Sequence, residues 1–417
     1  MVAINFDPLL FQFWVSMQKG KLVDISLHTY PELKKNIEQD GCLYFRLTKF
    51  LYGLAEAARA FYDRMSQVLK EIGFKKSEVD EGLFTMDFHH NGTISKHIVC
   101  VHVDDIFSIS PSPLSTRKLE NGLRKYFEIK EQHGSSISYL GMLILKDTRT
   151  GHVQVNQSGF IKELLEKFKH EVAGKTATTP SPAEFSRPKN TVEEYKDKSR
   201  YLSIVMSLMY LARLTRPDIL MSVAYLATKS QNPDISDYKN ICQVLRYISA
   251  TKTMALNFQR STLEVKLAAD ASHILHHDGR GHSGIVITIG GTAVIVRSTK
   301  QRVQARSSTE AEIIAAEECA TYIPFLISLC KELSIPLSTP LTLGQDNKSA
   351  ICIMQQGGQF NRTKHMLARI AYLKSMIDSG FLSMTYIPTG NMVADIMTKP
   401  LSSKLHARHR TTLGLFS

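Results

Sequence analysis

After Leu256 the apolar periodicity changes from a helical to a strand pattern and runs strand, strand, strand, helix, strand, helices, strand, helix to the C-terminus. Strands and helices mixed in that order read as an α/β unit. The stretch "IVITIGGTAVIVRS" supplies one hairpin, turning at Gly290-Gly291. Upstream, residues 192–255 read as a small helical connection, with apolar residues recurring at three and four in "YLSIVMSLMYLARLTRPDILMSVAYLATKS". Residues 171–191, rich in Thr, Pro and Ser without periodicity, read as a linker. The first 170 residues mix helix and strand. There "MDFHHNGTISKHIVCVHV" places Asn91-Gly92 between two strand runs, "SYLGMLILKDTRTGHVQVNQ" forms a second hairpin, and a helix follows at about 160–168. The expected domains are therefore 1–170, a linker 171–191, 192–255 and 256–417, an α+β and α/β chain without an internal repeat.

Four acids of the last domain draw attention. Along "LEVKLAADAS" the apolar Leu263, Val265 and Leu267 alternate, which puts Asp270 on the opposite face of its strand. Glu312 lies in the helix opened by "RSSTEAEIIAAEECA", where Thr309 and Glu312 have capping-box spacing. Asp346 ends a short strand ahead of a helix; such a carboxylate faces a binding crevice or caps the helix. Asp395, in "GNMVADIMTKPL", falls early in the last helix, where an acid suits the positive helix end. Each acid alone has a purely structural explanation.

Composition narrows the partners. A formal charge of +12 over 417 residues favours an anionic partner, nucleic acid before an acidic membrane surface. No uninterrupted apolar run reaches the ~18 residues of a membrane span, and the N-terminal "LLFQFWVSM" lacks the flanks of a signal peptide. Six scattered cysteines, never in a Cys-x-x-Cys pair, read as reduced core residues, so a cytoplasmic or nuclear and not a secreted location is expected.

Strand Asp, helix Glu, strand-end Asp and helix Asp, spaced 42, 34 and 49 residues apart, resemble the carboxylate set of the ribonuclease H fold. The phrases "RSSTEAEIIA" and "ADIMTKPL" are similar to ribonuclease H signatures of copia-type retrotransposon polyproteins, and "LTKFLYGLAEAARAFYDRM", "SYLGMLI", "YLSIVMSLMYLARLTRPDI" and "VLRYISAT" resemble further blocks in family order. The resemblance implies a partial reverse transcriptase palm, a helical connection and a ribonuclease H-like mixed sheet with flanking helices. It also implies two Mg²⁺ or Mn²⁺ ions held by Asp270, Glu312, Asp346 and Asp395, with an RNA–DNA hybrid as substrate and other Pol-derived segments as partners. "NRTKHMLARIAYL" resembles a family segment that leaves Arg362, Lys364 and His365 as contacts to the hybrid's phosphates. The basic run "KLHARHR" reads either as a nucleic-acid contact or as a solvated helix face.

In "VHVDDI", Asp104 and Asp105 align with the acid pair of the palm hairpin, Asp104 being the expected metal ligand. Two adjacent charges in an apolar hairpin are costly unless a cation or water compensates them; a solvated turn is the other reading. The polymerase motifs depart from the family elsewhere. Gln12 stands where the first metal-binding aspartate is expected, Glu56 replaces a nucleotide-side glutamine, and the fingers and upstream palm are expected to be missing. Polymerisation is therefore expected to be lost. In the last domain His273 falls in place of a family tryptophan, Leu367 and Ala371 replace a family acid and histidine, and Pro324 falls inside the Glu312 helix, a change worth about 3 kcal/mol in a helix interior. Beside the hydrolase stand two other expectations: an inactive nucleic-acid-binding relic, and a polymerase subunit completed by segments supplied in trans.

Overall fold

The computed structural model describes residues 2–4, 13–17, 43–47, 55–90, 92–174, 176–182, 184–185, 193–259, 263–357 and 365–417. Chain contacts divide it into two units, Met1–His133 and Gly134–Ser417.

The first unit contains β1 (Val2–Ile4), β2 (Phe13–Met17), β3 (Leu43–Leu47), α1 (Ala55–Ile72), β4 (Lys75–Lys76), β5 (Leu83–His90), β6 (Thr93–His102), β7 (Asp105–Ile109), α2 (Pro113–Arg124) and β8 (Ile129–Glu131). Its six-stranded sheet has the order β4-β5-β6-β7-β1-β8, and β2 pairs with β3 apart from it. On α1 the apolar Phe61, Met65, Val68, Leu69 and Ile72 recur at three and four, and that stripe joins Leu119 and Leu123 of α2 over Phe84, Val99 and Ile106 of the sheet. Ser112 caps α2, accepting from Ser115 N, with Pro113 at the first helical position. The acid pair closes the β6–β7 hairpin, as expected: His102 pairs with Asp105, and Val103 takes a positive φ of 52° beside the exposed Asp104.

The second unit contains β9 (Ser136–Tyr139), β10 (Met142–Lys146), β11 (Val153–Asn156), α3 (Ser158–Lys167), α4 (Lys169–Val172), α5 (Lys198–Leu214), α6 (Leu220–Ala227), α7 (Ile235–Ala250), β12 (Ala255–Phe258), β13 (Val265–Ser272), β14 (His282–Ile289), β15 (Thr292–Lys300), α8 (Ser308–Ala320), α9 (Tyr322–Glu332), β16 (Leu341–Gln345), α10 (Lys348–Gln356), α11 (Leu367–Asp378), β17 (Leu382–Tyr386), α12 (Ser403–Thr412) and β18 (Leu415–Phe416). One sheet runs β18-β12-β11-β10-β9 and another runs β15-β14-β13-β16-β17. In the latter, β13, β14 and β15 are antiparallel, whereas β16 and β17 add in parallel to β13. This is the mixed sheet with flanking helices that the resemblance implied. The β14–β15 turn falls at Gly290-Gly291, with φ of 60° and 84°, the pair of positive values that a tight primed turn requires.

The unit boundary at His133 lies earlier than the expected end of the first domain at 170. The physical cause is β-pairing: β11 hydrogen-bonds to β12, and β12 to β18, so the second hairpin shares a sheet with the chain's last residues. The expected linker is partly packed, with Phe185 buried at 4.9 Å from the Tyr225 ring. The run 308–332 is long and apolar enough to cross a membrane, yet half of the window is buried in the fold. It is two helices, breaking at Thr321. Pro324 accordingly sits in the first turn of α9, where its missing N–H has no intrahelical partner to lose. The basic run 404–410 is not a bare face. In α12, His406 and His409 are buried, Arg408 binds Gly390 O and Asn391 Oδ1, and Arg410 donates to Tyr247 Oη.

A chain of neutral imidazoles ties the sheet to residues near Asp395. Ser298 Oγ donates to Met397 O at 2.7 Å, so it accepts from His282 Nε2 at 2.7 Å. His282 Nδ1 is then the acceptor for His276 Nε2 at 3.0 Å. Burial pulls the His282 pKa down to about 3, with His276 adding to it, and burial followed by the charge of Lys300 pulls His276 down to about 4. The unfolded chain takes up these protons first, near the ordinary imidazole pKa of 6.5. Stability is therefore undiminished above that pH and falls as pH drops toward 4, by on the order of 2–3 kcal/mol per imidazole. Urea melts at pH 7 and pH 4.5 check this, and His282→Gln, which keeps a donor toward Ser298, should flatten the slope.

Candidate metal centre

Local sequence decides which acids are caps and which are not. Ser307, not Thr309, caps α8, accepting from Glu310 N at 3.2 Å, and Glu310 Oε2 accepts from Arg306 N at 2.7 Å. The capping function thus falls two residues earlier than the spacing suggested, and Glu312 is left on the buried side of the helix. At the end of β16, Asn347 caps α10, accepting from Ala350 N at 3.0 Å. Asp346 lies one residue ahead of that cap, with its own N–H donating to Gln345 Oε1 at 2.8 Å. Asp395 lies in a 3₁₀ turn, Val393–Met397, and not in the last helix, which starts at Ser403. Pro400 accounts for this, because the residue before a proline is driven out of helical conformation. Asp270 is on β13, on the face away from Val265, Leu267 and Ala269, where it lies beneath that turn and is 2% exposed.

One oxygen each from Asp270, Asp346 and Asp395 lie within 4.8 Å of one another. Glu312 approaches from α8, accepting from Gln345 Nε2 at 3.2 Å. Burial, then the charges of Asp270 and Asp346, push its pKa up to about 9. Burial, then Asp270, push Asp395 up to about 7, with Lys399 working against them. Thr398 Oγ1 donates to Asp270 Oδ2, and Thr389 Oγ1 donates to Asp346 Oδ2 at 2.9 Å. Lys399 Nζ stands 2.8 Å from Asp395 Oδ1 and 3.7 Å from Asp270 Oδ2. Buried Asp395 Oδ1 has no hydrogen-bond partner beyond that ion pair. Three carboxylate oxygens gathered within 4.8 Å, with a single ammonium beside them, are a hard-oxygen donor set that fits a divalent cation such as Mg²⁺ or Mn²⁺.

Sequence reasoning had not singled out Gln345, Thr389, Thr398, Lys399 or Gly284. Gln345 and Lys399 carried a weak signal, adjacent to Asp346 and one helical turn after Asp395. Gly284 pairs with Asp270 across β13 and β14. A Cβ there would lie 2.5 Å from Thr398 Cγ2, 2.8 Å from Met397 Cβ and 2.9 Å from Ala394 O. Only glycine lets the Asp395 turn lie so close to the sheet. Gly284→Ala is expected to destabilise by about 1–3 kcal/mol and to weaken Mn²⁺ binding by shifting Asp395 away from Asp270, which melting curves and calorimetry would read.

Of the other expected residues, His365 is exposed and lies 3.1 Å from Glu310 Oε2. Gln12, Arg362 and Lys364 lie outside the described residues, as does the side chain of Glu56. Among the described residues, no three potential ligands gather around Asp104 and Asp105.

The mixed sheet, its flanking helices and the acids under the 3₁₀ turn agree with the ribonuclease H-like arrangement that the resemblance implied. Residues 20–182 match the family model described as "Reverse transcriptase (RNA-dependent DNA polymerase)". The retrovirus-related Pol polyprotein from transposon TNT 1-94 of Nicotiana tabacum is 30% identical over 403 residues, 94% of this chain and 30% of that protein. That from transposon RE1 of Arabidopsis thaliana is 29% identical over 374 residues, 89% of this chain and 25% of that one. A putative transposon Ty5-1 protein of Saccharomyces cerevisiae is 29% identical, covering 64% of this chain and 86% of that protein. Over most of its length the chain is similar to retrotransposon Pol polyproteins, in keeping with the copia-type motifs it resembles. It spans less than a third of the length of the first two relatives. Among solved structures, an RNase H1 isolated from compost is 19% identical with a TM-score of 0.25, covering 33% of this chain and 93% of that one. A foamy viral protease-reverse transcriptase in complex with RNA/DNA hybrid is 12% identical with a TM-score of 0.45, covering 84% of this chain and 40% of that one. Both scores are too low to bear on function.

Proposed function

We propose that the second unit hydrolyses the RNA strand of an RNA–DNA hybrid with two Mg²⁺ or Mn²⁺ ions, and that the chain no longer polymerises DNA. The observation that carries the hydrolase reading is the convergence of Asp270, Asp346 and Asp395 within 4.8 Å, backed by Glu312. Ions held there supply Lewis-acid stabilisation of phosphoryl charge and a water of lowered pKa. The chain's own residues prepare the place. Gln345 spans Glu312 and the backbone N–H groups of Asp346 and Asn347, so helix α8 and the end of β16 keep a constant separation. Thr398 and Thr389 orient Asp270 and Asp346 by donating to one oxygen of each. Asp346 is only half-buried, which leaves its side of the centre open to substrate.

A hybrid would be met through its shape and 2′-hydroxyls across the minor groove, with little base reading. Tyr386 pairs with Gln345 across β16 and β17 and is 45% exposed, with Lys348 Nζ 4.7 Å from its ring centroid. These two side chains give the rim beside Asp346 an apolar face and a positive charge. Loss of polymerisation is supported by Gln12 in place of an acid and by the absence of a third ligand beside Asp104 and Asp105 among the described residues.

A labelled RNA–DNA hybrid incubated with the purified chain in Mg²⁺ and in Mn²⁺ tests the reading. Only the RNA strand should be cut, and Asp346→Asn should lower the rate by about 10³-fold, some 4 kcal/mol of barrier. A folded protein that leaves the hybrid intact in both metals would favour the non-enzymatic relic, and primer extension on an RNA template would overturn the loss of polymerisation.

A further inference from the structure

The acid cluster holds its carboxylates together with a cation of its own. Lys399 follows Asp395 by four residues, and its N–H donates to Asp395 O at 3.1 Å, so one helical turn returns its side chain to the Asp395 carboxylate. The ammonium then lies 2.8 Å from Asp395 Oδ1 and 3.7 Å from Asp270 Oδ2, two of the three acids whose oxygens gather within 4.8 Å. A divalent ion bound by those oxygens at ~2.0–2.2 Å would share the space that the ammonium takes. Two cations in such proximity repel strongly in a poorly solvated site.

The lysine is free to leave where a guanidinium would not be. Its side chain is 36% exposed, against 2% for Asp270 and Asp395, and it carries three rotatable donors on a flexible four-carbon stem. Thr398 meanwhile keeps its bond to Asp270 Oδ2, so the acids have a support that does not depend on Lys399.

We propose that Lys399 is a tethered counter-ion of this centre, which holds the metal-free acids together and swings out toward solvent when a divalent ion enters. The inference rests on the metal-dependent hydrolase reading and adds its regulation. The ammonium competes with the ion for the same oxygens, so Lys399 sets the metal concentration at which the site fills, and the fold keeps a charge-balanced centre below it.

Calorimetric titration of the full chain with Mn²⁺, together with melting in EDTA, tests this on the natural protein and on Lys399→Met, which keeps the stem and removes the charge. Lys399→Met should bind Mn²⁺ about tenfold tighter, melt lower in EDTA, and approach the natural protein at saturating Mn²⁺. Unchanged or weaker Mn²⁺ binding by Lys399→Met would overturn the counter-ion while leaving the hydrolase reading in place. Absence of Mn²⁺ binding by both proteins would overturn both. Should Lys399→Met fail to fold, amine-reactive labelling of the natural chain decides the matter. Labelling of Lys399 rising severalfold on addition of Mn²⁺ supports its release, and labelling that stays level or falls at saturating Mn²⁺ refutes it.

Discussion

Asp270→Asn is expected to abolish cleavage of an RNA–DNA hybrid and to raise the melting temperature of the metal-free protein. The two effects have one cause. Asp270 is 2% exposed and shares a 4.8 Å neighbourhood with Asp346 and Asp395, while burial, and after it the charges of Asp270 and Asp346, push the Glu312 pKa up to about 9. Like charges at such separations cost a few kcal/mol per pair at the effective dielectric of a protein surface, and the single ammonium of Lys399 balances part of this. An amide still accepts from Thr398 but carries no charge, so the metal-free fold should gain about 1–2 kcal/mol. The same neutralisation removes a ligand, with a loss of about 10³-fold or more in cleavage rate. Melting in EDTA, Mn²⁺ titration and a hybrid cleavage assay on one preparation read all three quantities. Retained cleavage would remove Asp270 from the centre; a lower melting temperature in EDTA would mean that Lys399 and Thr398 already outweigh the repulsion.

Arg216→Met should be the most destabilising single change in the second unit. Arg216 and Asp218 are fully buried and bonded twice, Nε to Oδ1 at 2.9 Å and Nη2 to Oδ2 at 2.8 Å. The guanidinium also donates to Thr251 O and Oγ1, and Tyr247 donates to Asp218 Oδ2 at 2.6 Å. Burial alone would raise the Asp218 pKa, but Arg216 outweighs it and holds the carboxyl below its ordinary range. Removing the guanidinium leaves a buried charge without its counter-charge, at about 3–5 kcal/mol and roughly 5–8 °C in melting temperature for a unit of this size. The double substitution Arg216→Met with Asp218→Leu should recover most of that loss, because it removes the stranded charge as well. A double variant no more stable than the single one would locate the cost in the packing of Thr251 and Tyr247 instead.

Hairpins and helices were legible in the sequence because their signals are local. Gly290-Gly291 needs only its own two positive φ values to define the β14–β15 turn, and the spacing of three and four along α1 defines its buried stripe without reference to a partner. The order of elements in the last domain followed from the same periodicities, and the mixed sheet from the family resemblance. The four acids were also legible, and the resemblance implied their joint use as metal ligands, but the local turns that carry them were not legible. Capping-box spacing assigned Glu312 to a helix start that tertiary packing places at Ser307, and Asp395 was assigned to a helix that Pro400 delays to Ser403. The surroundings of the centre were legible least. Thr398 meets Asp270 across 128 residues, Gly284 matters only because the Asp395 turn packs on it, and the hairpin at 136–156 joins the second unit only because β12 offers an edge. Local chain pattern was enough to define the elements, their order and which residues carry charge. The tertiary structure alone decided which charges are buried together, since the cost of a buried carboxylate depends on partners that chain spacing cannot specify.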